Sequence, residues 1–232
     1  MDQKLIVVII LLIIIITSKY YIDKIKRKSN YKFCILLTSC YNRENYSDQE
    51  LQKIQGIYRK VINRWLNKTN IPIFVVDSSN YTYPEFSNTR LRVCSFTFSQ
   101  LSSSTICEAN SIFYALENCK ELSNYDYVIK VTGKYYIPFM YTNISYVLDG
   151  HDLYFQQRRN FYRRTQNSEV FGFKYKLGKE IVTPIVTGES KLLMEQTLSQ
   201  LSHSENYTHS RFLVMINFYL SKRGDGGILY LL

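Results

Sequence analysis

The sequence predicts an α/β fold: an open, mostly parallel, twisted sheet with flanking helices. Short apolar runs alternate with stretches of helical period between residues 31 and 138. The runs are apolar on both faces, as strands covered by helices on each side must be. Several close in clusters such as Asp77-Ser78-Ser79-Asn80, where Ser, Asn, Asp and Gly punctuate a strand end.

A chain of 232 residues suits one domain with a short appendage. With 46% hydrophobic and 21% charged residues it can bury a core under a solvated skin, which excludes wholesale disorder. Only 9 Gly and 4 Pro exclude collagen-like and mucin-like chains. A net charge of +10 points to an anionic partner, with nucleic acid, phospholipid headgroups and nucleotide diphosphates all compatible. The 21 Tyr accompany a general richness in Ile, Asn and Lys, so they are no argument for base stacking.

Residues 5–16 are wholly apolar and are followed by Lys19, Lys24, Lys26, Arg27 and Lys28. The run is shorter than the roughly 20 residues a spanning helix needs, but flanking lysines can snorkel and extend it. It reads as a hydrophobic membrane anchor or signal, and the lack of a small-x-small cleavage site favours the anchor. Residues 1–30 are therefore expected to form this segment with its basic collar, and residues 31–232 one domain. The collar favours a cytoplasmic domain by the positive-inside rule. Five N-x-Ser/Thr sequons, at Asn45, Asn67, Asn80, Asn143 and Asn206, favour a lumenal one. Cys34, Cys40, Cys94, Cys107 and Cys119 lack CxxC spacing and sit mostly among apolar neighbours, as buried thiols do.

In the domain, residues 32–38 read as the first strand. Ser47 and Glu50 make a capping box for a helix whose apolar positions are Leu51, Ile54, Tyr58, Val61, Ile62 and Trp65, ending near Asn67. Residues 71–76 and 91–98 are the next strands. Thr105 and Glu108 form a second capping box for a helix reaching about Leu122, and residues 125–131 are the fourth strand. Beyond Pro138 the pattern weakens to strands at 152–156 and 170–175, separated by a basic turn with Arg158, Arg159, Arg163 and Arg164. An amphipathic helix is expected over 189–201. Residues 212–220 are apolar, helix or strand, and a turn and strand end the chain.

Several chemistries lack their signatures. Gly133-Lys134 has Val128 where a P-loop needs Gly and Tyr135 where it needs Ser or Thr. No GxGxxG follows a strand, and Gly188-Glu189-Ser190-Lys191-Leu192 lacks the second Gly of a nucleophile elbow. His151, His203 and His209 are not spaced as zinc ligands.

Three strand ends carry a positive signal. Thr38-Ser39-Cys40-Tyr41-Asn42-Arg43 after an apolar strand resembles the opening loop of GT-A-fold glycosyltransferases, beside the sugar nucleotide. Ile73-Phe74-Val75-Val76-Asp77 resembles their second strand, whose terminal Asp contacts the nucleoside. The segment from Ser103 through Asn110, leading into Lys130-Val131-Thr132-Gly133-Lys134-Tyr135, is similar to a bacterial and viral branch with Lys-x-Thr-Gly-Arg/Lys-Tyr here. The resemblance covers about residues 32–138. It implies a nucleotide-sugar donor held by Thr38, Tyr41, Asn42, Arg43, Asp77, Asn110, Lys130, Thr132, Gly133 and Lys134.

The chain lacks the Asp-x-Asp with which most of that family hold Mn²⁺. No metal ligands are assigned and no metal cofactor is expected to be required, although Mn²⁺ or Mg²⁺ stays open. Lys134 stands where it could stabilise the departing diphosphate. An inverting reaction would also need a carboxylate base: Glu189 and Asp225 are candidates, with Asp149, Asp152 and Glu205. Glu108 reads first as a cap and Arg158 to Arg164 as a solvated turn. The expected function is a membrane-anchored glycosyltransferase, type II and facing the ER or Golgi lumen, acting on a glycan or glycoconjugate. The alternative is a non-catalytic membrane glycoprotein that keeps the fold and binds a glycan or protein. Nucleic acid is not expected as a partner.

Overall fold

Among the described residues, alternation of apolar strands with amphipathic helices builds one seven-stranded sheet. The computed structural model describes residues 30–44, 46–99, 103–137, 148–156 and 168–212, with single positions at 12, 15 and 144. The strands are β1 (Phe33–Ser39), β2 (Ile73–Asp77), β3 (Leu91–Ser95), β4 (Tyr127–Thr132), β5 (Leu153–Gln156), β6 (Val170–Lys174) and β7 (His209–Phe212), in spatial order β3-β2-β1-β4-β6-β5-β7. β1 to β4 are mutually parallel, with Thr38 opposite both Val76 and Thr132. β6 runs antiparallel to β4 and β5, and β7 runs parallel to β5.

Every residue of β1 and β2 is buried, because helices cover both faces. On one face α1 (Asp48–Lys68) packs Ile54, Tyr58, Val61, Ile62 and Trp65 onto Ile35, Leu37, Ile73, Val75 and Ile129. Its capping box is present as expected: Glu50 N–H donates to Ser47 Oγ at 3.4 Å, and Ser47 N–H to Glu50 at 3.0 Å. Trp65 is wholly buried and its indole N–H donates to Tyr135 O at 3.1 Å, tying α1 to the chain just past β4. On the other face α2 (Ser104–Asn118), α3 (Gly178–Val186) and α4 (Met194–Leu201) enclose Cys34, Leu36, Phe74, Val76 and Val128.

The structure corrects several sequence expectations. The cap of α2 is Ser103, whose side chain accepts from Ile106 N–H, and Thr105 and Glu108 do not form a box. The helix stops at Asn118, and Leu122 belongs to a short 3₁₀ turn over Lys120–Asn124. The helix expected over 189–201 begins only at Met194. Gly188, at φ +78°, ends α3 in the left-handed conformation that glycine adopts readily, and Ser190 N–H turns back to Pro184 O at 2.7 Å. α3 itself was hidden by Pro184 near its end.

The third strand is shorter than expected, Leu91–Ser95, with Thr97 bridging back to Ser79. Cys94 and Cys119 form a disulfide, where the sequence suggested buried thiols. Cys34, Cys40 and Cys107 remain thiols.

Among the described residues no helix is long and apolar enough to cross a membrane. The expected anchor at 5–16 lies outside them, except for Leu12 and Ile15, which are exposed. Asn45, Asn143, the basic turn Arg158 to Arg164, the apolar segment beyond Phe212 and Asp225 also lie outside them.

The disulfide ties β3 to the end of α2 across 25 residues. Replacing Cys94 or Cys119 with Ser is expected to lower unfolding stability by about 2–4 kcal/mol. Chemical denaturation of the oxidised chain and of each variant measures the loss, and peptide mapping without reductant identifies the bond.

Candidate functional site

The strand order reverses beside β1: β2 and β3 extend the sheet one way, and the chain then returns to lay β4 on the other side. In open α/β sheets, ligands bind outside the carboxyl ends of the strands at such a point. A cavity of about 290 Å³ opens here, lined by Thr38 and Ser39 of β1, Arg43 and Tyr46 of the following loop, Thr132 and Lys134 at the end of β4, and Ser104, Cys107, Glu108 and Ser111 of α2. Tyr58 and Ser78 complete the floor and Phe98 adds an aromatic wall.

Backbone packing sets the shape of this cavity. Gly133 N–H donates to Thr38 O at 2.8 Å, closing β4 onto β1. A Cβ on Gly133 would lie 2.7 Å from that oxygen and 3.1 Å from the Tyr58 ring, so only glycine fits without displacement. Gly133, expected among the residues that hold the donor, instead admits the backbone of β1.

Asp77 organises the next two loops. It has no exposed surface. One carboxylate oxygen accepts from Ser39 Oγ (2.7 Å), Tyr41 N–H (3.0 Å) and the Tyr83 hydroxyl (3.4 Å). The other accepts from Ser79 N–H (2.9 Å), Ser79 Oγ (2.5 Å) and Tyr81 N–H (3.3 Å). The carboxylate expected to touch a nucleoside is thus occupied in holding the β1 and β2 loops together. Tyr41 belongs to the same core: it is buried and stacks on Tyr81 with centroids 3.7 Å apart.

Arg43 and Lys134 give the cavity its charge. Arg43 Nη1 donates to the Tyr46 hydroxyl at 3.1 Å, whereas its Nε is buried with no acceptor among the described residues. Neither cation has a carboxylate within ion-pairing distance among the described residues. Burial, and then the neighbouring guanidinium of Arg43, hold the Lys134 ammonium below the ordinary lysine value. Ser104, the first residue of α2, also lines the cavity, so the positive end of that helix dipole lies at its wall. Burial pushes the Cys40 and Cys107 thiols up, and Tyr58 to about 12, so none of the three supplies an anion near neutral pH.

Lys130 does not reach the cavity. Fully buried, it pairs with Glu108 and donates to Ser168 O at 2.6 Å and Thr132 Oγ1 at 3.0 Å, which uses all three of its protons. Asn110 turns its amide onto Ile106 O at 2.9 Å within α2. Asn42 is exposed at the rim, its N–H donating to Ser79 Oγ at 2.9 Å and its Oδ1 accepting from Gln55 at 3.2 Å.

Of the carboxylate candidates, Glu189 is exposed in the turn after α3 and Glu205 in the turn after α4. Asp149 and Asp152 lie before β5, at the opposite end of the strands from the cavity. Lys174, which binds Asp152 at 2.9 Å, pairs in register with Tyr127 at the start of β4. The lining residues that sequence reasoning did not assign to the site are Ser39, Cys40, Tyr46, Tyr58, Ser78, Phe98, Ser104, Cys107, Ser111 and, above all, Glu108. A lysine inside an apolar strand, at position 130, was the available signal that a carboxylate faces it. Among the described residues no three Asp, Glu, His or Cys side chains converge to hold a metal ion.

No protein-family model and no curated protein matches the chain. Solved structures align with it at low identity. A glycosyltransferase involved in the glycosylation of the major capsid of PBCV-1 aligns over 77% of this chain and 80% of its own, with 5% identity and a TM-score of 0.47. The glycosyltransferase GlyE of Streptococcus pneumoniae TIGR4 aligns over 78% of this chain with 9% identity and a TM-score of 0.48, and this chain covers 45% of its length. Rv0371c from Mycobacterium tuberculosis H37Rv aligns over 78% of this chain and 87% of its own, with 11% identity and a TM-score of 0.49.

Two substitutions test how the cavity is built. Asp77→Asn puts an amide N–H₂ among buried donors and is expected to cost about 3 kcal/mol or more. Gly133→Ala is expected to cost about 1–3 kcal/mol through overpacking against Thr38 and Tyr58. Urea denaturation of each variant reads both; a neutral Asp77→Asn would return the carboxylate to ligand binding.

Proposed function

We propose that this chain is a glycosyltransferase of GT-A-like fold that takes a nucleotide-sugar donor and transfers its sugar to a glycan or glycoconjugate. One observation carries the reading: Arg43 and Lys134 share a cavity at the β1–β4 switch point without a carboxylate partner among the described residues, and Arg43 Nε is buried without an acceptor. Two half-buried cations repel each other, so the arrangement calls for an anion. A diphosphate fits both charges, with the amino end of α2 as a third source of positive potential. The strand-end motifs that resemble glycosyltransferases surround this cavity, and Thr38 and Thr132 line it.

In the reaction the donor diphosphate gains negative charge as the bond to the anomeric carbon breaks. Lys134 and Arg43 stabilise that charge in a partly water-excluded site, where a fixed donor contributes more than in bulk water. The wider family uses Mn²⁺ for this. The residues around Lys134 do not suit a hard cation, because Glu108 is the one acid among the described lining residues and one of its oxygens is engaged by Lys130. The proposed enzyme therefore binds its donor through side-chain cations rather than through a divalent metal.

We place the domain in the secretory lumen, held to the membrane by the segment around residues 5–16. The Cys94–Cys119 disulfide suits an oxidising compartment. Asn67, Asn80 and Asn206, the acceptor positions of three sequons, are exposed.

Lys134→Ala is expected to weaken nucleoside diphosphate binding tenfold to a hundredfold, the loss of a charge-assisted contact worth about 1.5–3 kcal/mol. Lys134→Arg should be milder. Isothermal titration with EDTA and then with Mn²⁺ should give nearly equal affinities, and strict Mn²⁺ dependence would refute the cation site. Because burial and Arg43 hold the ammonium below the ordinary lysine value, its charge is lost as pH rises through that lowered value. Affinity should fall along that limb in the wild type and not in Lys134→Arg. For the topology, an N-glycan-removing enzyme should increase gel mobility of the protein expressed in eukaryotic cells, whereas no shift combined with cytosolic protease access would reverse it.

A further inference from the structure

We infer that Glu108 is the general base that takes the proton from the acceptor hydroxyl, a role that rests on the glycosyltransferase reading of the cavity. Among the described lining residues it is the one carboxylate, and it faces a site whose remaining charges are Arg43 and Lys134. Its Oε1 is held by the Lys130 ammonium, while its Oε2 has no hydrogen-bond partner among the described residues. The Glu108 side chain keeps 16% of its surface exposed and Lys130 keeps none. Lys130, with all its protons committed, fixes one oxygen and leaves the other to meet a substrate.

The surroundings also suit proton transfer. Burial raises the Glu108 pKa, Lys130 counters part of that rise, and Glu195 and Glu169 add to it. Glu195 lies on α4 and accepts from Ser168 Oγ at 3.0 Å. Glu169 precedes β6 and has a buried oxygen without a partner among the described residues. A carboxylate raised in this way is a stronger base than a solvated one.

In the proposed step the acceptor O–H proton passes to Glu108 Oε2. The acceptor oxygen's electron pair forms the new bond to the anomeric carbon. The bond from that carbon to the phosphate oxygen breaks, and its electrons stay on the diphosphate beside Lys134 and Arg43. Configuration at the anomeric carbon inverts, and Glu108 returns its proton to solvent. Lys130 is a positioning residue.

The test uses the full chain and water as the acceptor. A thermal-shift screen against UDP, GDP, CDP and ADP finds the nucleotide, and release of that diphosphate from the matching nucleotide sugars is then followed against pH. Glu108→Gln is expected to bind the diphosphate within about twofold of wild type and to release it at least a hundredfold more slowly, in line with the 10²–10⁴-fold contribution of a general base. Glu108→Ala should regain part of its rate in formate. Lys130→Met removes the opposing charge, so the acid limb should move up by about 1 pH unit or more while the alkaline plateau persists. If Glu108→Gln unfolds because Lys130 is left unpaired, the pair E108Q/K130M removes both charges and should fold, bind and fail to turn over. Wild-type release by Glu108→Gln or by the pair, an unmoved acid limb in Lys130→Met, or a wild type that binds nucleotide sugars yet releases nothing would each overturn the role of Glu108. Failure of every nucleotide to bind would instead overturn the glycosyltransferase reading.

Discussion

The Asp77 carboxylate is the contact on which the candidate site depends. Ser39, Tyr41, Ser79, Tyr81 and Tyr83 all donate to it, so the loops leaving β1 and β2 share one anchor in a dry environment. The path of the β1 loop then decides where Arg43 emerges. Gly133 supplies the complementary constraint from β4, closing onto Thr38 and carrying Lys134 to the same cavity. Two cations from distant segments line one cavity because these two junctions set the paths of the chain that carries them.

Charge is separated across the cavity rather than neutralised within it. On the β1–β4 side, Arg43 and Lys134 have no acid partner among the described residues. On the α2 side, Glu108 sits against buried Lys130 with Glu169 and Glu195 nearby. A buried ion pair is weak evidence for stability, since desolvation offsets much of its attraction. Its presence here is better explained by what it places at the cavity wall: one carboxylate oxygen in a fixed position.

Much of the sheet was legible in the chain. Residues 32–38 and 71–76 read as buried strands, because both faces of each run are apolar and turn residues close them. The Ser47/Glu50 box appears as read, since its partners are three residues apart and need no tertiary context. The second box failed for a complementary reason. Glu108 has the right spacing from Thr105, but a buried lysine on β4 competes for the same carboxylate, and Ser103 caps the helix instead. α3 was hidden by Pro184, and the Cys94–Cys119 bond by ordinary apolar surroundings that look the same for a thiol and a disulfide.

The sequence by itself determined the α/β class, the parallel strands and the strand ends at which Thr38, Arg43, Thr132 and Lys134 would gather. Periodicity and turn chemistry are local properties, and they survive folding unchanged. What only the tertiary structure decided is which polar residue spends itself on the fold and which stays open to a ligand. Asp77, Lys130 and Asn110 looked like binding groups because their type and place suited it, and each is taken up by protein partners. Glu108 looked like a cap and lines the cavity. The distinction depends on hydrogen bonds between residues such as Lys130 and Ser168, 38 positions apart, which no local pattern encodes.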